Sequence, residues 1–236
     1  MVNLKAYIPT CDRFIHLIEA NIISLKRYFP TEIEITILGY SSPSFELPSN
    51  VSFISLGEDR GPNFWSTDLR SYFESIDDEF FLYLNDDGVL VKNVNLEELE
   101  RVYNELDTKV GRLSLTHDLF TRPHEDVNDI FITSSQNADY RCSTQYSIWN
   151  RKYLLKYLEP GLTPWQFELE QSVKAKNDGY KILGLKNPLF HFLHLYQRGN
   201  YRIDWRIVSH NSNVKLENDL EKEISEIIEI DKKIFK

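Results

Sequence analysis

Four groups of residues carry side chains able to do chemistry. The apolar run Phe80-Phe81-Leu82-Tyr83-Leu84 ends abruptly on Asn85, Asp86 and Asp87, with Gly88 next. Adjacent carboxylates are hard oxygen donors suited to Mg²⁺ or Mn²⁺, ions that commonly share their ligand sphere with substrate phosphates. By position Asp87 is the choice for direct ligation, with Asp86 or Asn85 contacting a sugar or a metal-bound water. An ordinary Asp/Gly turn is the competing reading. Glu168 is the second feature, three residues after Trp165. It is a candidate general base for an acceptor hydroxyl, and Trp165 and Phe167 beside it suit stacking on sugar faces. Its place in the first turn of a helix equally suits pairing with the helix dipole. His191 and His194 form the third group, with imidazole a borderline ligand for Mn²⁺. On a helix they share a face; on an extended segment they point apart and only one reaches the site. A pair of half-buried histidines is the alternative. The fourth group is Thr10, Asp12, Arg13, Tyr40, Asp59 and Trp65, which follow successive apolar runs.

These residues need a scaffold that brings distant loops together. The run at 80–84, rich in aromatics, reads as a strand buried on both faces. Runs at 4–8, 33–38 and 51–56 read the same way. Between them, Phe14, Leu17, Ile18, Ile22 and Leu25 have helical spacing, as do Trp65, Leu69, Tyr72, Phe73 and Ile76. The order is that of an α/β fold with a mainly parallel sheet flanked by helices. Ligands of such sheets sit at the carboxyl ends of the strands, where a base and ribose would meet the fourth group and the acidic triplet. Further on, the pattern predicts a helix at 94–106, strands at 111–116 and 140–148, and a helix at 151–158 capped by Asn150. Thr163 and Pro164 open another helix that runs to about 177, with Gln166 placed for a capping box. A strand at 180–185 follows. The stretch 117–138 has no clear period and reads as a functional or mobile loop. In the tail, Leu216, Leu220, Ile224, Ile227 and Ile228 form one helical stripe, suited to packing on the body or on a second subunit as a homodimer contact. The expected organisation is one domain at 1–212, with a nucleotide-binding half at about 1–110 and an acceptor half at 111–212. An amphipathic helix at 213–236 completes it.

Composition narrows the class. At 236 residues with 42% hydrophobic content, there is material for a large core. A net charge of −9 argues against a nucleic-acid partner. It leaves nucleotides open, because one metal and a few local cations can hold a diphosphate. Cys11 and Cys142 lack metal-type spacing and fit a reducing compartment. The N-terminus lacks a signal-type apolar segment and no run approaches a membrane span, so a cytoplasmic protein is expected.

Three stretches carry a family resemblance that covers roughly residues 1 to 200. Leu4-Lys5-Ala6-Tyr7-Ile8-Pro9-Thr10-Cys11-Asp12-Arg13 resembles the opening strand and nucleotide-contacting loop of the GT-A fold glycosyltransferases. Phe81-Leu82-Tyr83-Leu84-Asn85-Asp86-Asp87 resembles their DxD-type metal motif, with Asn85 where an acid is usual. The segment from Tyr146 to Leu155, then Pro160-Gly161 and Pro164-Trp165-Gln166-Phe167-Glu168, is similar to the acceptor half of a bacterial and viral group. The resemblance implies sugar transfer from a nucleotide-diphosphate donor, a UDP-sugar favoured, to a hydroxyl of a glycan or lipid-linked acceptor. It implies Mn²⁺ or Mg²⁺ on Asp87, with His191 or His194 contacting metal or diphosphate. Pro9, Thr10, Asp12, Arg13, Tyr40, Asp59, Trp65, Asn85 and Asp86 would line the nucleotide, Trp165 the acceptor. Glu168 would be the base of an inverting displacement. Two alternatives stand beside it. A sugar nucleotidylyltransferase uses a similar sheet but normally has a Gly-rich loop where this chain has Pro9 to Arg13. A non-catalytic glycan- or protein-binding module is the other.

Overall fold

In the computed structural model, which describes residues 4–197, 200–201 and 218–234, the chain forms a three-layer α/β structure around a nine-stranded sheet. The first half alternates strand and helix: β1 (Ala6–Pro9), α1 (Leu17–Tyr28), β2 (Ile35–Gly39), β3 (Val51–Ser55), α2 (Trp65–Glu74) and β4 (Phe80–Tyr83). These four strands lie in the order β3-β2-β1-β4, all parallel. After β5 (Gly88–Leu90) and α3 (Leu96–Asn104) come β6 (Val110–Ser114), β7 (His124–Asp126), β8 (Phe131–Ser134) and β9 (Ser147–Asn150). The order continues β4-β9-β6-β10-β8-β7, where β10 is Lys181–Leu185. Strand β9 is antiparallel to both β4 and β6, and β8 to both β10 and β7. Of the nine, only β8 and β9 run against the common direction, so the sheet is mixed but mostly of one polarity.

Alternation along the strands builds two cores, since successive side chains leave opposite faces. Ala6, Ile8, Phe80, Leu82 and Ile148 face one layer, with α1, α3 and the late helix α7 (Asn218–Ile234). Tyr7, Phe81, Tyr83 and Trp149 face the other, with α2 and α4 (Arg151–Tyr157). There Phe73 stacks on Phe81 at 4.5 Å, and Trp149 is fully buried beside Tyr153 and Phe167. Each such ring contributes on the order of 1.5–3 kcal/mol by leaving water. Asn150 caps α4 by accepting from the Tyr153 amide. Thr163 and Gln166 form the expected capping box at the start of α5 (Pro164–Gln166). The chain then continues through a π turn (Phe167–Gln171) into α6 (Ser172–Lys174).

Several sequence expectations need correction. The stretch 117–138 is not a loop throughout: it holds a 3₁₀ turn (His117–Thr121) and the β7–β8 hairpin. That hairpin is short, so its period is too brief to read. Conversely, 140–148 is strand only from Ser147, because Arg141 draws the preceding segment into side-chain hydrogen bonds instead. Strand β5 went unread; it pairs with β11 (Phe192–His194) in a separate antiparallel ribbon. A second ribbon joins β12 (Tyr196–Gln197) to β13 (Asn200–Tyr201). On α7, Leu220, Ile224 and Ile228 are buried in the chain's own core and Arg27 of α1 pairs with Asp219. The body thus covers these residues, the first of the two options that the stripe allows. Leu216 and the boundary at 212–213 lie outside the described residues.

Candidate functional site

Parallel strands deliver their following loops to one edge, and here those loops are hydrogen-bonded to one another. Pro9 ends β1, and the Thr10 hydroxyl donates to Asp86 at 3.0 Å. Asp12 accepts from the amide and hydroxyl of Ser41, just after β2, at 2.8 and 2.9 Å. The Asp12 amide donates to Asp59 at 3.0 Å, in the loop after β3. Asp59 also accepts from Gly61, whose φ of 90° is open to glycine and strained for other residues. Tyr40 donates to Asp68 at 3.0 Å, and Arg60 pairs with the same carboxylate. Three of the expected site residues make other contacts as well. Arg13 is exposed and donates to Tyr196 at 3.2 Å. Trp65 packs on Phe167, toward the Glu168 segment rather than the Asp12–Asp59 loops. The Tyr40 hydroxyl is already committed to Asp68.

The acidic triplet is held from behind. Asn21, fully buried on α1, donates to the carbonyls of Asn85 and Gly88. The sequence signal for it was a polar residue on an otherwise apolar helical stripe. Gly88 leaves no room for a side chain: a Cβ there would lie 2.0 Å from the Tyr146 hydroxyl. Beyond it, β5 and β11 pair with His194 opposite Gly88, which brings His194 Nδ1 to 3.2 Å from Asp87. His191 goes elsewhere. Its backbone carbonyl accepts from Val91, and its ring lies 6.5 Å from that of His117. Burial, with Lys92 and His117 nearby, lowers the His191 pKa. The Asn85 side-chain oxygen is buried with no hydrogen-bond partner among the described residues.

Asp87 and His194 supply one hard oxygen group and one imidazole nitrogen. No group of three or more His, Cys, Asp or Glu is arranged to hold a metal among the described residues. The pair alone would hold a cation only with phosphate oxygens and water supplying the rest of its sphere, as they commonly do for Mg²⁺.

Burial and the adjacent Asp87 carboxylate push the Asp86 carboxyl up to about 7, against the hydrogen bond from Thr10. A carboxyl raised on folding binds its proton more tightly in the native state than in the unfolded chain. The native state therefore loses stability as pH rises from about 4 toward 7. Melting curves of the ion-free protein should show this decline, and Asp86→Asn should flatten it and melt higher than wild type at pH 8. Parallel curves for the two proteins would contradict the placement of Asp86.

Glu168 lies in the π turn, a departure from α geometry that often marks functional segments. One of its carboxylate oxygens accepts from both the amide and the hydroxyl of Thr144, at 2.6 and 2.8 Å. Thr144 had no signal in the sequence. Its loop is fixed by Arg141, which is buried and donates to the carbonyls of Ala175, Ser135 and Tyr180 and to Asp178. On the sheet, burial raises the Tyr83 phenol well above its ordinary pKa, with Asp86, Glu168 and Asp87 all acting in the same direction. Asp86 and Asp87 lie in the loop after β4, and Glu168 is near enough to act on the same phenol. Trp165 is 63% exposed at the start of the same helical segment.

Strand order, the acidic loop after β4 and the second half built on β9, β6 and β10 make this a GT-A fold. Solved structures with this fold include S. aureus TarS 1–349 in complex with UDP-GlcNAc. Against that chain the TM-score is 0.55 at 15% identity, covering 96% of this chain and 66% of the other. The structure of TarS 1–349 itself gives 0.54 at 14% identity, covering 81% and 60%. Its complex with UDP gives 0.52 at 14%, covering 98% and 65%. This chain thus spans about two thirds or less of the TarS chain it matches. No protein-family model matches the sequence. No curated protein matches it either.

Proposed function

We propose that the protein transfers a sugar from a nucleotide-diphosphate donor, a UDP-sugar favoured, to a hydroxyl of a glycan or lipid-linked acceptor. The observation that carries this is the strand edge at which the loops after β1, β2, β3 and β4 are hydrogen-bonded to one another, with Asp87 facing His194 beside them. Asp12 and Asp59 fix the shape of the nucleotide side. The unpartnered oxygen of Asn85 offers an acceptor to a ribose or a bound water. Asp87 and His194 would hold Mn²⁺ or Mg²⁺, which when bound would neutralise the departing diphosphate. Glu168 takes the proton from the acceptor hydroxyl as that oxygen bonds to the anomeric carbon and the bond to the diphosphate oxygen breaks. One displacement from the opposite face inverts the configuration. Trp165 gives the acceptor an apolar surface beside the base. No described helix is long and apolar enough to cross a membrane, and we place the reaction in the cytoplasm.

Calorimetric titration with UDP, GDP and their common sugar conjugates, with and without Mn²⁺, tests the reading. Micromolar binding of one nucleotide series, strengthened by the metal, is expected. Binding by none of them would favour a non-catalytic module on the same fold.

A further inference from the structure

Arg122 stands out because its charge has no ion-pair partner among the described residues. It follows the 3₁₀ turn His117–Thr121 and is half-buried. Its Nε is buried with no hydrogen-bond partner, and no carboxylate lies within ion-pairing distance of it among the described residues. The nearby acid, Asp118, is already engaged by the buried Arg112 and by the Ser114 hydroxyl. What Arg122 does touch is the ring of Tyr140, 4.2 Å from the guanidinium carbon. Tyr140 has a φ of 56°, a left-handed conformation that a bulky residue rarely takes. The backbone thus accepts strain where the ring meets the cation, and such strain concentrates at ligand sites. A half-buried cation with no anion is costly, and a cation–π contact offsets only part of that cost.

The location decides which ligand it faces. Tyr140 and Thr144 belong to one short loop, pinned by Arg141 and braced by Arg112 at the Ser143 carbonyl, 3.0 Å. That loop therefore carries both the ring beneath Arg122 and the hydrogen bonds to Glu168. Burial lowers the Arg122 pKa; Asp118 acts against this, Arg112 with it, and Tyr140 and Glu168 against it. Arg122 is thus tied to Glu168 through one loop, on the side of the base that Thr144 contacts. Under the reading above, that side of the base belongs to the acceptor.

We propose that Arg122, seated on Tyr140, anchors an anionic group, a phosphate or a carboxylate, carried by the acceptor. It is a specificity determinant and takes no part in bond making. The planar guanidinium suits either oxyanion, since both accept two parallel N–H bonds.

The proposal rests on the transferase reading, so the test separates the two. The full chain, saturated with UDP, is titrated with sn-glycerol 3-phosphate, D-glucuronate, glycerol and D-glucose. At least one charged probe should bind tenfold or more tightly than its uncharged counterpart. A preference for the phosphate or for the carboxylate identifies the source of the charge. R122Q should abolish the preference and R122K should reduce it at least threefold, both with unchanged affinity for UDP. Equal binding of charged and neutral probes by wild type overturns the proposal, as does a preference that survives in R122Q. If R122Q does not fold, an undiminished preference in R122K overturns it instead. A tenfold loss of UDP affinity in R122Q or R122K also overturns it, by assigning the cation to the donor diphosphate. Failure of UDP to bind wild type counts against the transferase reading alone, and the same titrations on the free chain still decide the anion site.

Discussion

Glu168→Gln is expected to cut sugar transfer by roughly 10²- to 10⁴-fold, the usual range for loss of a positioned general base. The substitution keeps the size of the side chain and its acceptor oxygen, so the two bonds from Thr144 can persist. Donor affinity should therefore be unchanged, with the loss confined to turnover. Initial rates of nucleotide release under saturating donor, alongside direct titration of UDP, separate the two quantities. A variant that retains full turnover would remove Glu168 from the chemistry. A variant with weakened UDP binding and unaltered turnover would reassign it to the donor.

The second large effect is expected at the other end of the site. Asp87→Asn removes the charge of the carboxylate that faces His194, and His194→Ala removes the imidazole. Loss of an outer partner of a metal site typically costs about 10–100-fold in metal affinity. Direct ligands should cost at least that. In each variant Mn²⁺ should no longer strengthen UDP binding, while binding in its absence stays near the wild-type value. His191→Ala serves as the comparison: its ring lies with His117 and should leave the metal response intact. If Asp87→Asn and His194→Ala respond to Mn²⁺ as wild type does, the pair is a structural contact and no more.

How much of this was readable beforehand depends on how local the cause was. The parallel half was legible because each strand is an apolar run long enough to be buried on both faces, and each helix shows its own period. Caps were legible for the same reason, as with Asn150 and Thr163, whose partners lie three residues away. Grouping Thr10, Asp12, Asp59 and Asp86 required only the rule that parallel strands share a carboxyl edge. The interval between His191 and His194 posed a choice that sequence left open. The pairing of β11 with β5, whose partners are about a hundred residues apart, separates the two rings. Thr144, Asn21 and Arg122 were missed as functional positions. Their roles depend on contacts with distant segments, and among the three only Asn21, polar on an apolar stripe, carries a signal of its own.

The reversed strand β9 has a consequence for how the molecule comes to exist. It enters the sheet between β4 and β6, yet it is made after both. Until residues 147–150 arrive, the early strands present an open β4 edge, and β6 has no neighbour on that side. Such unpaired edges invite association with other chains. Closing the gap needs a contact between segments well separated along the chain, the kind of pairing that slows folding. The early strands are thus not a self-sufficient unit joined to a later one. They are held open during synthesis until a later strand closes that edge, and through that interval a newly made chain is exposed to aggregation.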